Sequence, residues 1–149
     1  MHPLLYYTEE TDSTNNLLKQ RCKEEKLPEF SLVYTDFQNA GRGQTGNSWE
    51  AERGKNLLFS ILFYPAHVHI GEHFILSQIV AVAVAEVLNE IIPGFKVKWP
   101  NDIYFEDKKI AGILIENTLT GGIISSSIAG VGININQETF KSDAPNPVS

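Results

Sequence analysis

Cysteine is nearly absent from this chain: its 149 residues hold one, Cys22. A lone thiol forms no intramolecular disulfide and anchors no cysteine-based metal site, which suits a reducing compartment. Cys22 falls one helical turn from Leu18, the spacing of a small buried hydrophobe rather than of a reactive thiol. Positive charge is also scarce, with 12 Lys and Arg against 18 Asp and Glu and a formal net charge of −6. Phosphate neutralisation needs a basic surface, so the balance argues against nucleic acid as a main partner. Long apolar runs are missing too. None reaches membrane-spanning length, and the start Met1-His-Pro-Leu-Leu-Tyr-Tyr7 lacks the basic region and apolar core of a secretion signal. A soluble, cytoplasmic protein without a membrane partner is expected.

What is present is ordinary for a globule: 42 % apolar and 20 % charged residues, enough to bury one continuous core in a single domain over 1–149. Leu4 to Tyr7 is a short strand. Thr11 to Thr14 supplies N-cap residue types before an amphipathic helix marked by Leu17, Leu18 and Cys22 and running to about Lys26. Ser31 to Thr35 is strand-like, and Asp36 to Arg53 is a polar, glycine-rich loop of a length that is usually functional or disordered. Leu57 to Phe63 reads as a buried strand. From Glu72 to Ile92 apolar residues cover more than half a helical circumference, so this helix is expected between the sheet and further structure. Pro93-Gly94 ends it, and three or more strands with hairpin turns follow, the last from Ile123 to Ile133. The fold class is α+β, a largely antiparallel mixed sheet backed by helices.

Chemistry concentrates in a few segments. Lys98 to Glu116 reads as a β-hairpin. With a two-residue turn, Asp102 and Lys109 share one face; with a three-residue turn they face apart. The two-residue turn centres on Glu106-Asp107 or on Asp107-Lys108; in the first placement Lys109 lies opposite Tyr104 with Asp102 diagonal to it, at about 7–8 Å between backbones. That gap is wide for a direct ion pair and suits a bound phosphate with a metal ion, the alternative being a solvated hairpin tip. Gly41-Arg-Gly-Gln-Thr-Gly46 has the letters of a dinucleotide fingerprint, but no helix follows it. What remains is either a flexible surface loop or one whose backbone N–H groups approach an anion, with Arg42 able to fork onto oxygens. Trp49 favours the second reading, because an indole in so polar a loop needs something to cover, such as a nucleobase. Ser13 and Thr14 serve as helix caps or as ligand hydroxyls, and Gln38 has the same double reading. His67, His69 and His73 have the letters of a zinc site but lack a metalloprotease glutamate, and no metal is expected there. Gly130-Val-Gly-Ile-Asn134 is either a strand crowded by neighbouring backbone or the floor for a flat ligand, with Asn134 at its polar edge.

Five segments, Asp12-Ser-Thr-Asn15, Gln38-Asn-Ala-Gly-Arg-Gly43 with Trp49, Lys98-Trp-Pro-Asn-Asp102, Lys109-Ile-Ala-Gly-Ile-Leu114 and Gly130 to Asn134, together resemble the catalytic domain of biotin protein ligases. They stand in family order. The resemblance implies a core related to class II aminoacyl-tRNA synthetases and to lipoate ligases. It implies ATP and Mg²⁺ as cofactors, biotin as substrate, a biotinyl-5′-adenylate intermediate and a biotin carboxyl carrier domain as partner. Carried over by position, Ser13, Thr14, Asn15 and Gln38 meet biotin, together with Gly112. Arg42 and Gly43 hold the carboxylate and phosphate, and Arg42 and Lys109 are the catalytic cations. Trp49, Asn101 and Asn134 contact ATP, and Asp102 serves ATP and Mg²⁺. Two departures stand out. Gln44 and Asn47 replace the arginines common later in the family loop, implying a looser hold on ATP or the adenylate. The chain also stops at Ser149, so a C-terminally incomplete domain is expected, without the N-terminal winged helix that gives some members a repressor role. A lipoate-type ligase, or a biotin-binding core that does not complete catalysis, is the alternative. Association of two copies through a sheet edge, with Ile123 to Ala129 as the candidate, is a further expectation.

Overall fold

The computed structural model describes residues 2–44, 46–141 and 147–149. One seven-stranded mixed sheet organises them, in the order β1-β2-β3-β7-β6-β5-β4. The strands are β1 (Leu5–Thr11), β2 (Leu32–Gln38), β3 (Asn56–Phe63), β4 (Phe95–Lys98), β5 (Asp102–Phe105), β6 (Lys108–Thr120) and β7 (Ile123–Asn134). Only β1 and β2 run parallel, because the helix α1 (Thr14–Glu24) carries the chain between them; the other neighbours are antiparallel. A 3₁₀ turn (Ile70–Glu72) leads into α2 (Phe74–Ile91).

Alternation along β3 assigns the two helices to opposite faces. Leu62 joins Leu18, Val33 and Ile128 beneath α1, whereas Phe59, Ile61 and Phe63 pack with Val80, Ala81, Ala85 and Leu88 of α2. Cys22 is half-buried against the first cluster, and burial pushes its thiol up from the ordinary value. The segment Ile70–Ile91 has a mean hydropathy of 1.7 and the length to cross a membrane, yet one side of it belongs to the second core cluster. Its other side, with Ile75, Ile79, Val82 and Val87, is exposed. The expected sandwiching of this helix is therefore absent among the described residues: only its sheet side finds a partner.

Hairpin geometry decides which side chains share the site face. Glu106 and Asp107 form a two-residue turn, Glu106 taking a positive φ of 54°, and Tyr104 lies opposite Lys109. The register then shifts, so that Ile103 pairs with Ala111 and Asp102 with Gly112. Ile110 is the extra residue of this bulge, and both it and Ala111 turn into the α2-side core. Lys109 and Gly112 consequently stay on the α1 face with Asp102. The edge expected at Ile123 to Ala129 is closed in its second half, where Ser127, Ile128 and Ala129 pair with β3 on one side and β6 on the other; Ile123 to Ser126 extends past the last β3 pair and runs along β6, with an isolated bridge from Ile123 to His69 on its other side.

Ile103, fully buried between β6 and α2, is a sensitive reporter of this packing. Ile103→Ala should cost about 2–5 kcal/mol in denaturant unfolding, while exposed Val87→Ala should change stability by less than about 0.5 kcal/mol.

Candidate functional site

A cleft of about 480 Å³ opens on the α1 face, above β5, β6 and β7. Its walls bring together Ser13, Thr14 and Asn15 from the start of α1, Gln38 from the end of β2, and Arg42, Gly43 and Trp49 from the glycine-rich loop. Asn101, Asp102, Lys109 and Gly112 come from the bulged hairpin. Every site residue predicted from the sequence is on this wall except Asn134. That side chain is almost fully buried, its Nδ2 donating to the Val148 carbonyl at 3.0 Å and its Oδ1 lacking a partner.

The floor is made by glycines. Gly112 pairs with Gly132 across β6 and β7, and Trp49 lies over both: a Cβ at Gly112 would come within 2.7 Å of the indole, and one at Gly132 would collide with it. Gly130 is likewise covered by the Asn15 carboxamide. The floor expected to receive a flat ligand is thus already roofed by the chain's own indole, whose Nε1 is buried without a partner.

The glycine-rich loop folds back on itself. Trp49 N donates to Gly41 O at 2.9 Å, Gly43 N to Asn47 O at 2.9 Å and Asn47 N to Gln44 O at 2.8 Å. Of the N–H groups in Gly41 to Gly46 expected to receive an anion, that of Gly43 is therefore already spent. Gly41 is required by close approach, because a Cβ there would stand 2.5 Å from the Trp49 carbonyl.

At the head of α1, Ser13 sits at the N-cap without a side-chain capping bond. The Thr14 backbone N–H and hydroxyl instead donate to Gln38 Oε1 at 2.8 and 3.1 Å. Ser60 Oγ lies 2.8 Å from Thr14 Oγ1 and 2.6 Å from Asn15 Oδ1. This buried network fixes the polar corner against β3.

Lys109 Nζ stands 2.8 Å from Asp102 Oδ1 with both side chains largely covered, and lies 5.7 Å from the centroid of the Trp49 ring. The open gap expected between the two charges is therefore closed by a direct ion pair. Long side chains bridge a diagonal that backbone spacing alone makes wide, and the bulge brings Lys109 nearer still. The contact is close but not aligned as a hydrogen bond. Arg42 takes a different partner. Its Nη1 and Nη2 donate to Glu116 Oε1 and Oε2 at 3.3 and 2.7 Å, and Nη2 also to Asn16 Oδ1 at 2.8 Å. Asn101 spends its amide on the backbone, Nδ2 donating to Ile113 O at 2.7 Å.

Sequence reasoning assigned no role to Ser60, Glu116 or Gln137. Each carries a visible signal, a polar residue on the inward period of an otherwise apolar strand in the first two cases. Gln137 is fully buried and ties the loop to β3, accepting from Glu52 N at 3.0 Å and Asn56 Nδ2 at 2.5 Å. The histidines are not gathered: His69 bridges Ile123 and His73 Nδ1 contacts Ile70 O at 2.7 Å. Among the described residues no group of three His, Cys, Asp or Glu side chains could hold a metal ion.

A mixed sheet carrying such a polar cleft, lined by the Lys109–Asp102 ion pair and by a hydroxyl-amide corner, defines an α+β core shaped for a small polar ligand. A family model described as the biotin/lipoate A/B protein ligase family matches residues 7–134, and the chain belongs to that family. It is 37 % identical over 125 residues to the bifunctional ligase/repressor BirA of Escherichia coli, covering 83 % of this chain and 38 % of that protein. It is 32 % identical over 139 residues to biotin–protein ligase 1 of Arabidopsis thaliana, covering 88 % and 36 %. Among solved structures, the biotin protein ligase of Aquifex aeolicus in complex with biotin and ATP superposes with a TM-score of 0.77 at 32 % identity, over 99 % of this chain and 59 % of that one. The Leishmania major enzyme, at 24 % identity and a TM-score of 0.80, shares the fold. The chain thus spans under half the length of these curated relatives.

Asp12, just before α1, accepts from Asn16 Nδ2 at 2.7 Å and from Ser13 N at 2.6 Å, and the Asn16 bond chiefly holds its carboxyl below the usual range. A lowered folded value means its stabilisation is complete above the ordinary carboxyl pKa of about 4 and is lost as pH falls through the lower folded value. Asp12→Asn should therefore flatten the melting-temperature profile below about pH 4 and leave its slope near neutrality unchanged.

Proposed function

We propose that this chain is the biotin-activating core of a biotin protein ligase. In the first step a biotin carboxylate oxygen attacks the α-phosphorus of ATP, pyrophosphate leaves, and biotinyl-5′-adenylate forms. In the second the ε-amine of a carrier-domain lysine attacks the acyl carbon, AMP leaves, and an amide forms with loss of the amine proton. The observation that carries the reading is the convergence in one cleft of an uncharged polar corner and a lysine–aspartate pair from segments about 90 residues apart in the chain.

The corner suits a ureido head, which both donates and accepts. Thr14, Asn15 and Gln38, with Ser13, offer hydroxyls and amides held in place by one another. At the other end Lys109 is the cation for the carboxylate and α-phosphate. It can leave Asp102 for an incoming anion because the existing pair is not a well-aligned hydrogen bond. Asp102 would hold Mg²⁺ brought with ATP; a single carboxylate is sufficient where phosphate oxygens and water supply the other ligands. That ion neutralises phosphate charge when bound. Trp49 is the aromatic surface nearest this end, and Asn101 holds the hairpin root beneath it. Support comes also from the relatives named above: the Escherichia coli protein is described as a ligase/repressor, the Arabidopsis one as a biotin–protein ligase, and the Aquifex one as a biotin protein ligase in complex with biotin and ATP.

The test is pyrophosphate release by the chain with ATP, Mg²⁺ and either biotin or lipoate, followed by transfer to a biotin carboxyl carrier domain. Release dependent on biotin is expected; release dependent on lipoate assigns the other branch of the family, and biotin binding without release assigns a binding core only. Lys109→Ala should lower kcat/KM for adenylate formation by about 10²-fold or more with the fold retained, and an unchanged rate would remove Lys109 from the chemistry.

A further inference from the structure

We propose that Glu116 is a positioning residue of the cleft, and that Arg42 acts through it by clasping the glycine-rich loop instead of by touching the ligand's anionic groups. Three elements meet at this carboxylate, β6, the glycine-rich loop and α1. It stands on β6, one alternation beyond Leu114 and two beyond Gly112, hence on the site face. Both oxygens accept from the Arg42 fork, and Oε2 accepts also from Asn15 Nδ2 at 2.8 Å. Asn15 in turn lies on Gly130 of β7 and is held by Ser60 of β3. Glu116 thus receives three donors, from the loop and from the first turn of α1.

The donor count on Arg42 gives the direction of the inference. A guanidinium binds a carboxylate or phosphate through paired N–H groups, and here that paired edge is turned to Glu116, with Nη2 bonded also to Asn16. What the clasp fixes is the loop backbone. Arg42 pairs with Ser48 as an isolated bridge, and Gly41 O receives Trp49 N, so the residues flanking Arg42 hold the strand that delivers the indole to the glycine floor. Lys109 is then the cleft cation whose partner can be exchanged for substrate.

The kinetic half of the test rests on the function proposed above; the spectroscopic half does not. In a Trp99→Phe background Trp49 is the single indole. Glu116→Ala should raise its acrylamide quenching constant by about twofold or more, as the loop is released and a half-buried ring becomes exposed. Glu116→Gln, which keeps the shape and one acceptor, should fall between, and serves if the alanine variant does not fold. In pyrophosphate release, Glu116→Ala and Arg42→Ala should each raise KM for biotin by roughly tenfold with kcat nearly unchanged, and the double variant should be no worse than either. Unchanged quenching in both Glu116 variants overturns the clasp. Losses in kcat that are larger for Arg42→Ala and add to those of Glu116→Ala overturn the indirect role of Arg42. A wild-type chain without biotin-dependent release refutes the proposed function, and the quenching comparison still decides the clasp.

Discussion

Three positions on one face of β6 and β7 must carry no side chain. Gly112 and Gly132 face each other across the strand pair, and Gly130 pairs with Leu114 one alternation away. Because nothing stands on the sheet there, the Asn15 amide and the Trp49 ring can lie directly against backbone. The cleft depends on this. The polar corner, the loop and the hairpin cation all reach one another only because α1 and the loop sink to the level of the sheet. A methyl group at any of these glycines would lift one of the two contacts and separate elements that are far apart in sequence.

Electrostatics completes what the floor begins. Of the cations on the cleft wall, Arg42 and Lys109 have acidic side-chain partners, but the partnerships differ in kind. Arg42 and Glu116 form a forked, hydrogen-bonded clasp reinforced by Asn15 and Asn16. Lys109 and Asp102 are merely close. A flexible ammonium with one misaligned partner yields it easily to a stronger anion, whereas a planar guanidinium with both ends engaged is costly to move. On the proposed reading the labour is divided: Arg42 secures the loop, and Lys109 meets the ligand's anionic groups.

Much of this was legible in the chain itself. Apolar periods located both helices and the long strands, and the charged tip marked a turn near Glu106 to Lys108, whose length and centre only the pairing of Phe105 with Lys108 decides. The residues that converge, Ser13, Thr14, Gln38, Asp102 and Lys109, were named through the family resemblance of their segments, the residue types alone leaving caps and a solvated hairpin tip as alternatives. Side-chain reach was not legible. Register gives backbone spacing, so the Asp102–Lys109 gap looked open, while a bulge at Ile110 and two extended side chains close it. Nor could the order of strands be read: Ile123 to Ala129 looks like a last strand and therefore an edge, yet long-range pairing with β3 encloses it from Ser127 onward. Glu116, Ser60 and Gln137 escaped because their meaning lies in partners 45 to 101 residues away.

The central claim is that ligand binds in the α1-face cleft, against Trp49 and beside Lys109. The chain has two tryptophans, one in the cleft and one, Trp99, two-thirds exposed beside Phe74. Incorporating 5-fluorotryptophan gives each its own ¹⁹F resonance, assigned by single Trp→Phe changes, and biotin with ATP can then be titrated in. A saturable shift of the Trp49 resonance with that of Trp99 unmoved is the predicted result. A shift confined to Trp99, with Trp49 unchanged at saturating ligand, would contradict the placement of the site.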